Sequence, residues 1–396
     1  MTNQPDPIVI VSAARTPMGG FLGELSSLSA AELGAVAIRA VVERAGLAAE
    51  VIDEAIMGCV LQAGQGQAPA RQAALGAGLP TGVVCSTVNK ICGSGMKAMM
   101  FGHDLLLAGS AEVVVAGGME SMSNAPYLLN RVRSGYRMGH GTVLDHMFLD
   151  GLEDAYDKGR LMGSFAEDCA QAYGFSREQQ DAFAIASLTR AQQAMRNGRF
   201  AAEIVPVQAR IGKELRRITS DEQPPKARID KIATLKPAFR DGGTVTAANA
   251  SSISDGAAAL LLMRLSEAER RGLTPLVRIA GHASFAQAPN LFTAAPVGAI
   301  QRLMQRTGWT LGEVDLFEIN EAFAVVPMVA MHDLDIPHDK LNVHGGACAL
   351  GHPIGVSGAR VLVTLLNALS QYDLKRGVAS LCIGGGEATA VAIERL

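Results

Sequence analysis

Four stretches of the chain carry side chains whose type and setting suit chemistry. Cys92, in NKICGSGMKAMM, stands between a predicted strand and a predicted helix whose residues Met96, Met99, Met100, His103 and Leu107 fall at helical spacing. A thiol at a helix N-terminus feels the positive end of the macrodipole, which favours the thiolate. Gly93 and Gly95 leave room for a ligand against the backbone. A small residue filling a tight turn is the competing reading. In ASLCIGGGEATA, Cys382 ends a predicted strand and is followed by Gly384–Gly386. Their N–H groups can face an oxyanion, although a strand-end bulge accounts for the glycines equally well and Cys382 alone reads as core. His352, between Gly351 and Pro353 in CALGHPIGVSGAR, sits where a loop either holds a ring at the edge of a cleft or simply satisfies it. In FEINEAFAVVP a hydrophobic run stops at Asn320, which points into a ligand crevice or caps a helix.

Other chemistries lack their residues. No G-K-[ST] accompanies the glycines and no G-x-G-x-x-G opens a helix, which argues against a phosphate loop and a dinucleotide fold. The eight histidines are too dispersed for the clustered ligands of a metal hydrolase. Six cysteines without a C-x-x-C pair suggest neither a zinc knuckle nor a disulfide framework, and point to a reducing compartment. A formal charge of −3 with no block of like charges predicts no nucleic-acid or anionic-membrane partner. The start MTNQPDPIVIVSAARTP passes directly into a strand, and no long apolar run follows, so the expectation is a cytoplasmic protein.

The elements that must position these groups read as α/β. Short β-branched runs alternate with longer helical ones in a chain of 396 residues, 48% of them hydrophobic. Strands are predicted at Ile8–Ser12, Ile52–Cys59, Val113–Ala116, Leu316–Ile319 and Ser380–Ile383, and helices at 30–45, 94–108, 178–197, 296–307 and 356–369. The chain also resembles itself. VVERAGLAAEVIDEAIMG (41–58) lies over LMQRTGWTLGEVDLFEIN (303–320), pairing Arg44 with Arg306, Gly46 with Gly308 and Asp53 with Asp315. The SG pairs at 94–95 and 357–358 correspond, as do AGG at 116–118 and IGG at 383–385. About 130 residues between the copies have no counterpart and read as an insertion, with a helical segment from 164 to 198.

Taken together, NKICGSGMKAM, INEAFA, GHPIGVSGAR and LCIGGGEA resemble the thiolase family, as do VSAARTP, GGMESMSNAPY and TVTAANASSISDGAAA, in order along nearly the whole chain. The resemblance implies duplicated βαβαβαββ halves in a five-layered αβαβα arrangement: an N-terminal half of 1–120 plus 249–272, an inserted loop domain of 121–248, and a C-terminal half of 273–396. It implies acetyl transfer between coenzyme A thioesters, with acetyl-CoA and acetoacetyl-CoA as substrates and no cofactor or metal. By motif, Cys92 carries the acyl group, His352 exchanges its proton, and Cys382 works on the α-carbon. Asn320, through a water, and His352 would hold an enolate, and the N–H groups of Cys92 and Gly384 an acyl oxyanion. Coenzyme A contacts map to Leu152, Met162, Phe239, Ala247, Ser251 and Phe323, with the nucleotide end near Lys226, Arg228 and Lys231. Leu161 stands where the acetoacetyl-CoA branch usually has histidine, which leaves a broader 3-ketoacyl-CoA thiolase as the alternative. A non-catalytic acyl-CoA-binding relative would have lost one of Cys92, Asn320, His352 or Cys382; all four are present. A ketoacyl synthase would carry histidine in place of Cys382. The loop from Met119 resembles one that joins dimers, so a homotetramer is expected.

Overall fold

The computed structural model describes residues 6–396. Its centre is a ten-stranded sheet system built from two similar runs, of five and four strands, that meet edge to edge, with the short strand Gly19–Gly20 paired to Ser254–Arg264 beside them. The first run passes from Val84–Val88 through Glu54–Gly58, Val113–Ser121 and Ser254–Arg264 to Ile8–Arg15. The second passes outward through Val277–Ala286, Glu387–Glu394 and Arg376–Ile383 to Leu316–Ile319. Each ends in a parallel pair and has antiparallel pairs at its centre.

Side-chain alternation separates the layers. Val9, Val11, Leu261 and Met263 turn to an outer core shared with the helices Ala30–Ala45 and Pro69–Gly76. Ile8, Ile10, Leu260 and Leu262 turn to a central core filled by the helices Ser94–Ala108 and Ser357–Gln371. A third core lies between the second run and the helices Ala295–Thr307 and Val325–Leu334. The result is the five-layered αβαβα arrangement that the resemblance implies, and strands covered on both faces explain continuous apolar runs such as AAALLLM. Among the described residues no helix is long and apolar enough to cross a membrane.

The internal repeat survives as repeated contacts. Gly46 and Gly308 end their helices in the left-handed conformation, at φ +65° and +71°. Asp53 accepts from the N–H groups of Glu112 and Val113, and Asp315 does the same for Lys375 and Arg376, in each copy tying two adjacent strands. The two central helices touch at their first turns. A Cβ on Gly95 would come within 3.0 Å of Ala359 N, and one on Gly358 within 2.4 Å of Met96 N. Only glycine permits that approach, which brings the two SG helix starts to one place.

The predicted helices match to within two residues at each end, and Leu316–Ile319 coincides with its strand. The strands Ser254–Arg264, Val277–Ala286 and Glu387–Glu394 are missing from the prediction, because Ala- and Gly-rich runs carry weak β signals until a partner is known. The helical segment expected at 164–198 is two helices, Met162–Tyr173 and Arg177–Arg196, broken at Gly174, φ +68°. Tyr127–Leu129 and Val143–Asp145 pair as a hairpin in the inserted region.

Candidate active site

Cys92 follows the edge strand Val84–Val88 and precedes the helix Ser94–Ala108 by two residues. The turn between them is tight. Asn89 Oδ1 accepts from Ile91 N at 2.9 Å, Ser94 Oγ accepts from Lys90 N at 2.8 Å, and Ile91 is held at φ +47°. A β-branched residue rarely adopts that conformation, so the chain is strained at the residue before the thiol. Cys92 is partly exposed, and the N–H groups of Gly384 and of Cys92 itself lie near enough to its sulfur to favour the thiolate.

Gly384 opens the turn between the strands Arg376–Ile383 and Glu387–Glu394, with Gly385 and Gly386 at φ +93° and +89°. The glycine run is therefore a turn that aims an N–H at the Cys92 sulfur. Cys382, two residues earlier, is buried, and burial together with the neighbouring Cys92 sulfur raises its thiol well above the ordinary range.

His352 comes from the other copy. Its N–H donates to Ser252 O at 3.0 Å, and a Cβ on Gly351 (φ +98°) would meet Ser254 Oγ at 2.1 Å. Nδ1 lies 2.5 Å from Ser357 Oγ, whose own proton goes to Pro353 O at 3.1 Å. Proton bookkeeping thus places the hydrogen on Nδ1 and the lone pair on Nε2, which is buried without a partner. Asn320 accepts on Oδ1 from the buried Arg360 at 3.4 Å. Its Nδ2 stands 3.4 Å from the same Nδ1, where two donors face each other without a hydrogen bond in this tautomer, so its amide hydrogens stay uncommitted.

Burial sets the resting charges. It raises the Cys92 thiol to about 11 against the pull of the two N–H groups, and the expectation of a helix-stabilised thiolate is corrected accordingly. Burial, aided by the Arg360 charge, lowers the His352 imidazole to about 3. Thiol and imidazole are both neutral at pH 7. Alkylation of Cys92 by iodoacetamide should then accelerate about tenfold per pH unit from 7 to 10; a plateau below pH 7 would show a thiolate–imidazolium pair instead.

Two buried carboxylates that the sequence reading passed over hold the histidine loop. Glu120 accepts from Val60 N at 3.0 Å, Leu61 N at 3.1 Å and Gly355 N at 2.9 Å; burial outweighs these donors and lifts it to about 7. Glu321 takes Ser187 Oγ at 2.7 Å, Asn342 Nδ2 at 2.8 Å and Cys348 N at 3.0 Å. Their signal in the sequence was a charge inside an otherwise apolar run, as in VVVAGGMES. Glu120→Gln turns two amide hydrogens toward N–H donors and should cost about 1–3 kcal/mol, read as a lower urea midpoint, together with reduced turnover because Gly355 moves with His352.

A cleft of about 490 Å³ leads to this group, with Ile91, Gly151, Lys158, Met162, Gly384 and Gly385 among its walls. Met162, Phe239 and Phe323 pack in one cluster, the two rings edge to face at 6.0 Å. Leu152 packs instead beside Cys92, Leu61 and Ile354. Ser251 pairs with the Asn320 segment, its N–H and Oγ both donating to Ala322 O, while Ala247 is exposed on the preceding turn. Lys226 and Arg228 are engaged with Glu222 and Asp230, and Lys231 is exposed. The structure therefore brings Cys382 and Gly384 beside Cys92 and pairs Asn320 with His352, whose loop reaches the surroundings of Cys92 through Ile354. It spreads the other predicted residues over separate clusters and turns.

Residues 8–266 match the family described as "Thiolase, N-terminal domain" and residues 273–395 "Thiolase, C-terminal domain". The acetyl-CoA acetyltransferase of Pseudomonas aeruginosa is 50% identical over 391 residues, covering 98% of this chain and 99% of that protein. The crystal structure of the Bacillus anthracis acetyl-CoA acetyltransferase superposes with a TM-score of 0.96 at 39% identity, covering both chains completely. That of the Ascaris suum Acat5 thiolase in complex with coenzyme A does so at 0.93 and 40%, covering 98% of this chain and all of that one. With both family domains matched in order over a shared fold, the chain belongs to the thiolase family.

Proposed function

We propose that the protein is an acetyl-CoA C-acetyltransferase, condensing two acetyl-CoA molecules reversibly to acetoacetyl-CoA and coenzyme A. The observation that carries this reading is the neighbouring pair of thiols, Cys92 and Cys382, with the N–H of Gly384 beside Cys92, and the unpartnered Nε2 of His352 supports it. The acetyltransferase relatives at up to 50% identity support the acetyl group as cargo. Cys92 attacks the acetyl-CoA carbonyl while His352 Nε2 takes its proton, and the N–H groups of Cys92 and Gly384 stabilise the tetrahedral oxyanion. The departing coenzyme A thiolate recovers that proton from His352. His352 Nε2 then takes the proton of Cys382, and the Cys382 thiolate removes an α-proton from the second acetyl-CoA, whose enolate oxygen is held by the Nε2–H of the resulting imidazolium and by water on Asn320. The carbanion attacks acetyl-Cys92, the carbon–carbon bond forms, and the Cys92 sulfur leaves and takes its proton from His352, while Cys382 keeps the α-proton, so that both thiols and the neutral imidazole are restored.

Coenzyme A lies along Leu152, Met162, Phe239, Ala247, Ser251 and Phe323. Because the Ser251 hydroxyl hydrogen goes to Ala322 O, Ser251 serves the pantetheine as an acceptor for an amide N–H. Self-association as a homotetramer belongs to this reading, supported by the 127–145 hairpin, which leaves Tyr127, Leu129, Val132, Met138 and Val143 exposed. Six unpaired cysteines support a reducing, cytoplasmic setting.

Incubation with acetyl-CoA should leave an acetyl adduct on Cys92 by mass spectrometry; a label elsewhere sinks the mechanism. Leu161, half-buried beside Met162, favours a broader 3-ketoacyl-CoA thiolase as the second reading. Cleavage of acetoacetyl-CoA should exceed that of a ten-carbon 3-ketoacyl-CoA by about tenfold or more, and equal rates would select the second reading.

A further inference from the structure

The histidines that look dispersed in the sequence are not all dispersed in the fold. His103 and Asp104, on the helix Ser94–Ala108, meet His282 from the strand Val277–Ala286. His103 Nδ1, Asp104 Oδ1 and His282 Nε2 form a closed triangle with sides of 3.1, 2.9 and 3.2 Å. A register shift between Ile279 and Gly281 bulges the strand just before His282, the kind of device that re-aims a side chain.

Hydrogen bonds alone cannot satisfy that triangle. With both nitrogens protonated, two hydrogens go to Asp104 and two N–H groups face each other; with one protonated, a lone pair faces either the carboxylate or the other ring. One edge is repulsive in every arrangement. A cation bonded to all three atoms removes the conflict at once. An ion about 2.1 Å from each atom would stand roughly 1.1 Å out of their plane with ligand–metal–ligand angles of roughly 90°, one face of an octahedron. The histidine side chains are 11% and 13% exposed and the Asp104 side chain 53%, so the imidazoles are held in protein while the opposite face opens to water.

We propose that His103, Asp104 and His282 form a binding site for one borderline divalent transition ion of the zinc or cobalt type. Two imidazoles and one carboxylate suit such an ion better than magnesium or calcium. Lys97, whose charge reaches His282, and Arg306, which donates to the His282 carbonyl at 2.8 Å, add positive charge and further disfavour hard ions held mainly by charge. The site joins a helix of the first half to a strand of the second and takes no part in acyl transfer: His103 lies nine residues along its helix from Ser94, about 14 Å at the helical rise. Its consequence is a tie between the two halves.

The test is calorimetric titration of the whole enzyme with ZnCl2, after Cys92 has been alkylated with iodoacetamide so that the reactive thiol cannot bind the ion. One site per chain is expected, together with a melting temperature that rises with ZnCl2. His282→Gln and Asp104→Asn should each weaken binding by at least about tenfold and abolish the thermal shift, while unmodified samples of both variants cleave acetoacetyl-CoA at the parent rate. Asp104 is exposed, so its substitution keeps the test open if His282→Gln does not fold. Equal zinc affinity in the parent and in the folded variants, or no saturable binding up to about 1 mM, would overturn the proposal.

Discussion

Cys92→Ala is expected to lower acetoacetyl-CoA cleavage by on the order of 10^4 to 10^6-fold, the loss typical of removing a covalent nucleophile. Alanine leaves the N–H groups of Gly384 and residue 92 in place but removes the sulfur that they face. Exchange of free coenzyme A with acetyl-CoA should disappear in the same variant, because no acyl-enzyme forms. Cys382→Ala separates the two halves of the reaction. It should retain acetylation of Cys92 and coenzyme A exchange while condensation falls by about 10^2 to 10^4-fold. Loss of exchange in both variants alike would show that the thiols act as one unit and would refute the division of labour. Residual exchange in Cys92→Ala above the solution rate would refute the nucleophile.

Arg15→Ala should destabilise the protein by about 3–5 kcal/mol, a fall in melting temperature on the order of 5–10 °C. Arg15 ends its strand fully buried, with Nε 2.6 Å from Glu203 and the guanidinium fork 2.6 and 2.9 Å from Asp221. Burial alone would lower the guanidinium, but the two carboxylates outweigh it and hold it above its ordinary value. Both carboxylates come from the inserted region, and the backbone joins them: Arg15 N donates to Glu203 O and Val205 N to Arg15 O. Without the arginine, two buried carboxylates lose the one cation that bonds to both, and Glu203 keeps the more distant charge of Arg360 and weak contacts from Thr364 and Asn367. Adding Asp221→Asn to Arg15→Ala should recover part of the loss by removing one uncompensated charge. A single variant melting within about 2 °C of the parent would show that water or rearrangement relieves the carboxylates.

Much of the candidate site was legible because its signals are local. Glycines around Cys92, the Gly-His-Pro sequence at 352 and the strand ending at Asn320 each mark a turn from neighbouring residues alone. The repeat was legible because Gly46 and Gly308, or Asp53 and Asp315, perform the same local task in each copy. The long antiparallel strands were not, since AAALLLM becomes a strand only through partners distant in sequence. Glu120 and Glu321 stayed hidden for the same reason: their donors lie 21 to 235 residues away.

By itself the sequence determined the main helices, several of the strands, and the duplication with its interruption, which are carried by residue type and spacing. The roles of nucleophile, imidazole, amide and second thiol came as expectations from the resemblance to the family. Only the tertiary structure decided their charges and company. Burial keeps Cys92 a thiol and His352 a neutral base, and the desolvation responsible belongs to no single residue. The same holds for His103, Asp104 and His282, separated by 178 residues between Asp104 and His282 and joined only when a helix of one half is packed against a strand of the other.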